Sequence, residues 1–292
     1  MLTLMRVLNH VLILAKAILV AFYNSIINWT RSTRISNPAE CFASDMIHFS
    51  DPAVKAKLGY LRRGYEDEGR YQQMVLAVTG YTMVTYDGLV SVADQVRFCE
   101  ENNIPGAFVE LGTWKGGSFA VMAQANLAYG KSRRRMHGFD SFQGLPAPRA
   151  DKDFDEMVGD TFKITREQAD GSLKPIGALL SEQSDVEVLL AKVGYPRSEV
   201  QLHAGWFQDT VQVVAPKIGP IAILRLDGDL YESYMIALDH LWDNVAVGGF
   251  VIFDDWVYRG CRDAVNEFFN KRGLREYVCY ADATVRYVRE SA

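Results

Sequence analysis

The chain has 292 residues, 49% of them hydrophobic, which is enough for one large α/β domain with an appendage and a sizeable core. A formal net charge of −5 and no long Lys/Arg run exclude a nucleic-acid backbone as the main partner, since Arg133, Arg134 and Arg135 form only a local cluster. Cys41, Cys99, Cys261 and Cys279 share no paired spacing, which excludes a zinc framework or a disulfide-stapled domain and fits reduced thiols in a cytoplasmic setting.

In chain order, the 23 residues from Val7 to Trp29 contain Lys16 as their only fully charged side chain. Ala15-Lys16-Ala17 lies inside this apolar run and not after it, which argues against a cleaved leader. On a helix Asn9, Lys16 and Tyr23 recur at spacings of seven, with His10, Asn24 and Arg31 beside them, so a narrow polar stripe faces a broad apolar surface. That pattern suits peripheral membrane contact through residues 1–30, and equally packing on the chain's own domain or on a second subunit. Residues 1–34 form this amphipathic element, 35–104 a helical amino-terminal region and 105–292 the main domain; a homo-oligomer is expected. Helical spacing runs from about 61 to 103 and stops at Asn102-Asn103-Ile104-Pro105-Gly106.

Five short apolar runs then predict buried parallel strands: Ala107–Leu111, Met136–Phe139, Val200–His203, Ile221–Leu226 and Phe250–Phe253. Helical segments separate most of them. The stretch from about 142 to 185 is polar, with Pro146, Pro148 and several glycines, and predicts a mobile lid or substrate loop. A helix near Arg262–Lys271 precedes Tyr277–Tyr280 and Thr284–Val288, which predict a closing antiparallel hairpin.

Phe108-Val109-Glu110-Leu111-Gly112-Thr113-Trp114-Lys115-Gly116-Gly117-Ser118 is a strand entering a glycine-rich turn and a helix, the pattern of a nucleotide-type loop. The dinucleotide fingerprint is absent, which disfavours a nicotinamide oxidoreductase. At the end of the second strand, Asp140 can accept both hydroxyls of a ribose, or simply cap a turn. Acidic residues then gather at two strand ends: Leu226-Asp227-Gly228-Asp229-Leu230-Tyr231-Glu232-Ser233 and Phe253-Asp254-Asp255-Trp256. Parallel strands deliver both groups to one edge, where carboxylates that close would repel unless something positive sat among them. Oxygen ligands without His or Cys point to Mg²⁺. His203, Trp206, Phe207, Tyr231 and Trp256 suit packing or the walls of a pocket.

These stretches resemble the macrocin O-methyltransferase family over roughly residues 75 to 290, with Asp-Gly-Asp-Leu-Tyr-Glu-Ser at 227–233 the most specific match. Tyr81-Thr82-Met83-Val84, Gly138-Phe139-Asp140-Ser141-Phe142-Gln143-Gly144-Leu145-Pro146, Gly205-Trp206-Phe207-Gln208-Asp209-Thr210 and Gly248-Gly249-Phe250 also match. The resemblance implies an S-adenosylmethionine-dependent O-methyltransferase acting on a sugar or polyol hydroxyl of a small molecule or glycan. Its fold would be the α/β, Rossmann-like class I methyltransferase sheet: seven strands, helices on both faces, the last strand antiparallel. It implies Asp227, Asp254 and Asp255 as metal ligands, Asp229 as general base, and Glu110, Gly112 and Asp140 as cofactor contacts. Thr113, Gly116, Ser118, Ser141, Gly205 and Trp206 in the matching loops join those cofactor contacts, as does Asp227. Gln143 stands where the family commonly has an acid and Trp256 where it has Tyr. A catechol-type methyltransferase and a non-catalytic membrane-anchored scaffold are the competing readings.

Overall fold

A computed structural model describes residues 67–291, so the apolar stretch at 7–29, the linker at 30–60 and Cys41 lie outside the described residues. The described chain opens with α1 (Glu68–Ala77) and α2 (Tyr86–Glu101). Thr85 caps α2 by accepting the Gly88 N–H at 3.0 Å, and its own hydroxyl donates to Asp282 in a distant turn. The alternation that follows is β1 (Ala107–Leu111), α3 (Gly117–Tyr129), β2 (Met136–Asp140), α4 (Glu156–Phe162), α5 (Gln183–Val193), β3 (Val200–Ala204), α6 (Phe207–Ile218) and β4 (Ile221–Leu226). It closes with α7 (Tyr231–Leu241), β5 (Val245–Phe253), α8 (Arg259–Arg272), β6 (Cys279–Tyr280) and β7 (Arg286–Arg289).

The strands form one seven-stranded sheet in the order β3-β2-β1-β4-β5-β7-β6. The first five are parallel, and β7 runs antiparallel to β5 and β6, which is the α/β sheet expected above. Strand order reverses between β1 and β4, and open α/β sheets bind ligands at the carboxyl ends of the strands at such a point. β5 begins at Val245, not Phe250, because a register shift against β4 is absorbed where Gly248 adopts φ 88° and donates to Glu290 O at 2.9 Å.

Two apolar layers cover the sheet. Leu89, Val96, Phe119, Met122 and Leu189 from α2, α3 and α5 pack with Phe108, Met136 and Ile252. On the other face Val211, Leu238 and Phe268 from α6, α7 and α8 pack with Val109, Phe139, Leu224 and Val251. Side-chain alternation therefore points Glu110 and Arg225 toward the first layer. The polar stretch after β2 has apolar anchors of its own: Leu145 and Ile176 pair through the backbone, and Val158, Phe162 and Ile164 are buried in the second layer. Cys99, Cys261 and Cys279 are free thiols. No described helix is long and apolar enough to cross a membrane.

Across β2 and β3, the His137 and His203 rings stack with centroids 5.5 Å apart, and His137 Nδ1 lies 3.2 Å from His203 Nε2. Burial, then His203, then Arg135 hold His137 down at about 4, against an ordinary value of 6.5. In the unfolded chain this imidazole takes up its proton near 6.5, whereas the folded protein delays uptake to about 4. The folded state therefore loses stability as pH falls through that window. Urea unfolding between pH 7 and 4 should show this loss, and His137→Gln should flatten it; an unchanged profile in the variant would contradict the assignment.

Candidate active site

Glu110 and Arg225 are register partners on β1 and β4, and Arg225 is level with Ile252 on β5. Two residues further along these strands, on the same face, stand Gly112, Asp227 and Asp254. Arg225 is fully buried and reaches across both rows. One guanidinium nitrogen meets Glu110 and, at 2.7 Å, Asp227 Oδ2, while the other meets Asp254 Oδ1. Asp255 is oriented differently: its Oδ2 accepts the Asp229 N–H at 2.9 Å and the Tyr234 hydroxyl at 3.1 Å.

Asp227, Asp254 and Asp255 can each offer an oxygen within 4.8 Å of the others. On each carboxylate one oxygen is engaged in these bonds, and the second has no hydrogen bond among the described residues. Three carboxylate oxygens converging without nitrogen or sulfur fit a hard divalent cation such as Mg²⁺. Burial and the neighbouring acids push Asp254 and Asp255 well above the ordinary carboxylate range, with Arg225 pulling Asp254 down. A cation bound among them would relieve that repulsion.

Asp229 adopts φ 61°, a left-handed conformation uncommon for a residue with a side chain. Burial, then Asp227, Asp254 and Asp140, raise its carboxyl well above the usual range. Asp229 thus lies within the fields of both the metal-type acids and Asp140.

The glycine-rich turn accounts for the other predicted residues. Gly112 has φ 87°, and a Cβ there would sit 1.7 Å from the Asp227 carbonyl oxygen, so its glycine lets the cofactor-type loop close on the acid loop. Gly116 has φ 86° at the cap of α3. Asp140 accepts the Trp114 N–H at 2.7 Å and the Phe142 N–H at 2.8 Å, one on each oxygen, and keeps lone pairs for a ribose. Gly205 donates to Asp140 O at 2.9 Å, which sets Gly205 and Trp206 at the same edge. Glu110 and Ser118 are buried and bonded to each other at 2.5 Å, and the Ser141 hydroxyl donates to Gly144 O at 2.9 Å within its own turn. Burial, opposed by Arg225, pushes Glu110 up to about 7. Glu110 Oε2 and Thr113 Oγ1 are buried without a hydrogen-bond partner, and with the glycine cradle they fit a polar cofactor over this loop. His203 tilts on Phe139 at 4.4 Å between centroids, a packing role.

Arg225 is the residue the motif reading passed over. Its signal was a lone charge in the otherwise apolar run Ile221-Ala222-Ile223-Leu224-Arg225-Leu226, which can be buried only with partners.

The chain matches the Macrocin-O-methyltransferase (TylF) family over residues 9–290, a span that takes in most of the amino-terminal stretch the motif likeness left out. It is 34% identical over 203 residues to the 8-demethyl-8-(2,3-dimethoxy-alpha-L-rhamnosyl)-tetracenomycin-C 4'-O-methyltransferase of Streptomyces olivaceus, covering 68% of this chain and 73% of the relative. It is 33% identical over 235 residues to the demethyldecarbamoylnovobiocin O-methyltransferase of Streptomyces niveus, covering 80% and 85%. The solved O-methyltransferase NovP is similar with a TM-score of 0.61 at 27% identity, over 87% of this chain and 100% of that one. CalS11, a calicheamicin methyltransferase, has a TM-score of 0.53 at 18% identity over 80% of this chain and 96% of that one, a likeness of fold.

Removing one partner from a buried ion cluster leaves the others uncompensated. Arg225→Met should therefore lower unfolding free energy by roughly 3–5 kcal/mol in urea titration, and adding Glu110→Gln should recover part of it. A single variant as stable as the wild type would contradict the cluster.

Proposed function

The chain belongs to the macrocin O-methyltransferase family, and on that premise we propose that it methylates a hydroxyl of a sugar, on a glycosylated natural product or a cell-envelope glycan, with help from a Mg²⁺-type cation. The observation that carries this reading is the convergence of Asp227, Asp254 and Asp255, each with one oxygen engaged and one to spare, beside Asp229. By its name, the Streptomyces olivaceus relative acts on the 4' oxygen of a dimethoxyrhamnosyl group, which supports a sugar acceptor.

S-adenosylmethionine supplies a methyl group already activated on a sulfonium, so alignment and deprotonation are the tasks left to the protein. Asp227, Asp254 and Asp255 would hold a divalent cation, which would supply Lewis acidity toward the acceptor hydroxyl. Gly112 and Gly116 would let the donor approach the backbone, and Asp140, through lone pairs not used by Trp114 and Phe142, would accept its ribose hydroxyls. Asp229, its basicity raised by burial and neighbouring acids, takes the hydroxyl proton. The oxygen–methyl bond forms as the methyl–sulfur bond breaks, and S-adenosylhomocysteine departs. The segment from about 142 to 185 would close over the site and exclude water.

Calorimetry should find S-adenosylhomocysteine binding that Asp140→Ala weakens and Asp229→Asn leaves unchanged. Turnover of p-nitrophenyl α-L-rhamnoside should need Mg²⁺, cease with a chelator, and fall on the order of 10²–10⁴-fold in Asp229→Asn. Equal cofactor-binding defects in the two variants would overturn this division of roles, and undiminished turnover with chelator would remove the cation.

A further inference from the structure

Asp153 lies in the segment between β2 and α5, remote in sequence from the acid loop, yet it is only 3% exposed. Its Oδ1 accepts the N–H of Tyr231 at 2.7 Å and its Oδ2 accepts the N–H of Arg149 at 2.8 Å. Tyr231 is the first residue of α7, and the residue at that helix's own cap position, Leu230, makes no side-chain cap bond. Asp153 therefore does from 78 positions away what a local Asp or Ser usually does, satisfying an orphan N–H at a helix start. Beside it Arg149 forms an ion pair with Glu232 in the first turn of α7. Room for the carboxylate comes from Gly260 in α8, where a Cβ would lie 2.1 Å from Asp153 Oδ1.

The consequence falls on Asp229. Its N–H is held by Asp255 Oδ2 at 2.9 Å, the N–H of Leu230 donates to Gly228 O at 2.7 Å, and the N–H of Tyr231 is held by Asp153. The left-handed Asp229 is thus pinned on both sides, once by a metal-type aspartate and once by the inserted segment. A sparsely populated backbone conformation persists only where its surroundings over-determine it.

We propose that Asp153 is a positioning residue, a latch by which the 142–182 segment fixes the acid loop and keeps Asp229 in its left-handed conformation. The inference rests on the proposed role of Asp229 as the base. No proton transfer is assigned to Asp153, which touches neither the metal-type oxygens nor the glycine-rich turn through any described hydrogen bond.

Amide hydrogen exchange over 228–232 in the full chain, with S-adenosylhomocysteine and Mg²⁺ present, tests the latch directly. Exchange at Tyr231 should accelerate at least tenfold in Asp153→Ala and in Gly260→Ala, which displaces the carboxylate without deleting it. Asp153→Asn keeps one acceptor and should fall between these and the wild type. With p-nitrophenyl α-L-rhamnoside, kcat should drop about tenfold or more in both disrupted variants while acceptor KM and S-adenosylhomocysteine affinity stay within about twofold, a split that general loss of fold does not produce. If Asp153→Ala fails to fold, Gly260→Ala and Asp153→Asn carry the same comparison. Unchanged exchange at Tyr231, or unchanged kcat despite faster exchange, would overturn the proposal. If Asp229→Asn proved fully active, the base assignment would fail, while exchange at Tyr231 would still decide whether the latch exists.

Discussion

A single buried guanidinium, Arg225, holds the carboxyl edge of this sheet together. A charge of that size taken out of water without partners costs on the order of 20 kcal/mol by an idealised estimate, so its burial requires acids, and Glu110, Asp227 and Asp254 provide them. Those same bonds turn one oxygen of Asp227 and one of Asp254 toward the protein and leave the other for a ligand. Asp255 reaches the same state by another route, through Tyr234 and the backbone of Asp229. One positive charge against this many carboxylates leaves an excess of negative charge, which a divalent cation would balance.

Backbone strain collects at the same edge. Trp114, Phe142 and Asp229 all have positive φ without being glycine, and each is tied to an acid of the site: the first two to Asp140, the third to Asp255. Gly112 supplies the contact between the two halves, since the absence of its Cβ brings the β1 turn against the Asp227 carbonyl. Cofactor loop and acid loop are therefore not separate modules on a common sheet. A change at Gly112 reaches Asp227 directly, and the second half is itself anchored through Asp153 to the long segment that follows β2.

Much of this was legible in the residues. The runs Ala107–Leu111 and Ile221–Leu226 coincide with β1 and β4 because they are apolar stretches, each interrupted by one charge, bounded by glycine, proline or acid. β5 was read short, from Phe250 on, whereas the strand starts at Val245 and takes up a register shift against β4 before Phe250. The acids were visible as two clusters at strand ends, and parallel order brought them together. What could not be read was the partner of each carboxylate oxygen. Arg225 hid in an apolar strand, and Asp153 hid in a stretch whose polarity suggested a loop, although Val158, Phe162 and Ile164 bury that stretch against the second layer. Glu110 and Ser118 matched cofactor positions by motif, and spacing did not show that the Ser118 hydroxyl donates to Glu110. Long-range pairing of this kind depends on topology, which spacing along one chain does not contain.

Binding of Mn²⁺ as a spectroscopic stand-in for Mg²⁺, followed by electron paramagnetic resonance on the full chain without acceptor, probes the acid cluster most directly. One ion should bind per chain, lost in Asp254→Asn and retained in Asp140→Ala. No bound ion, or binding that survives Asp254→Asn, would contradict the claim that these aspartates are arranged around a cation.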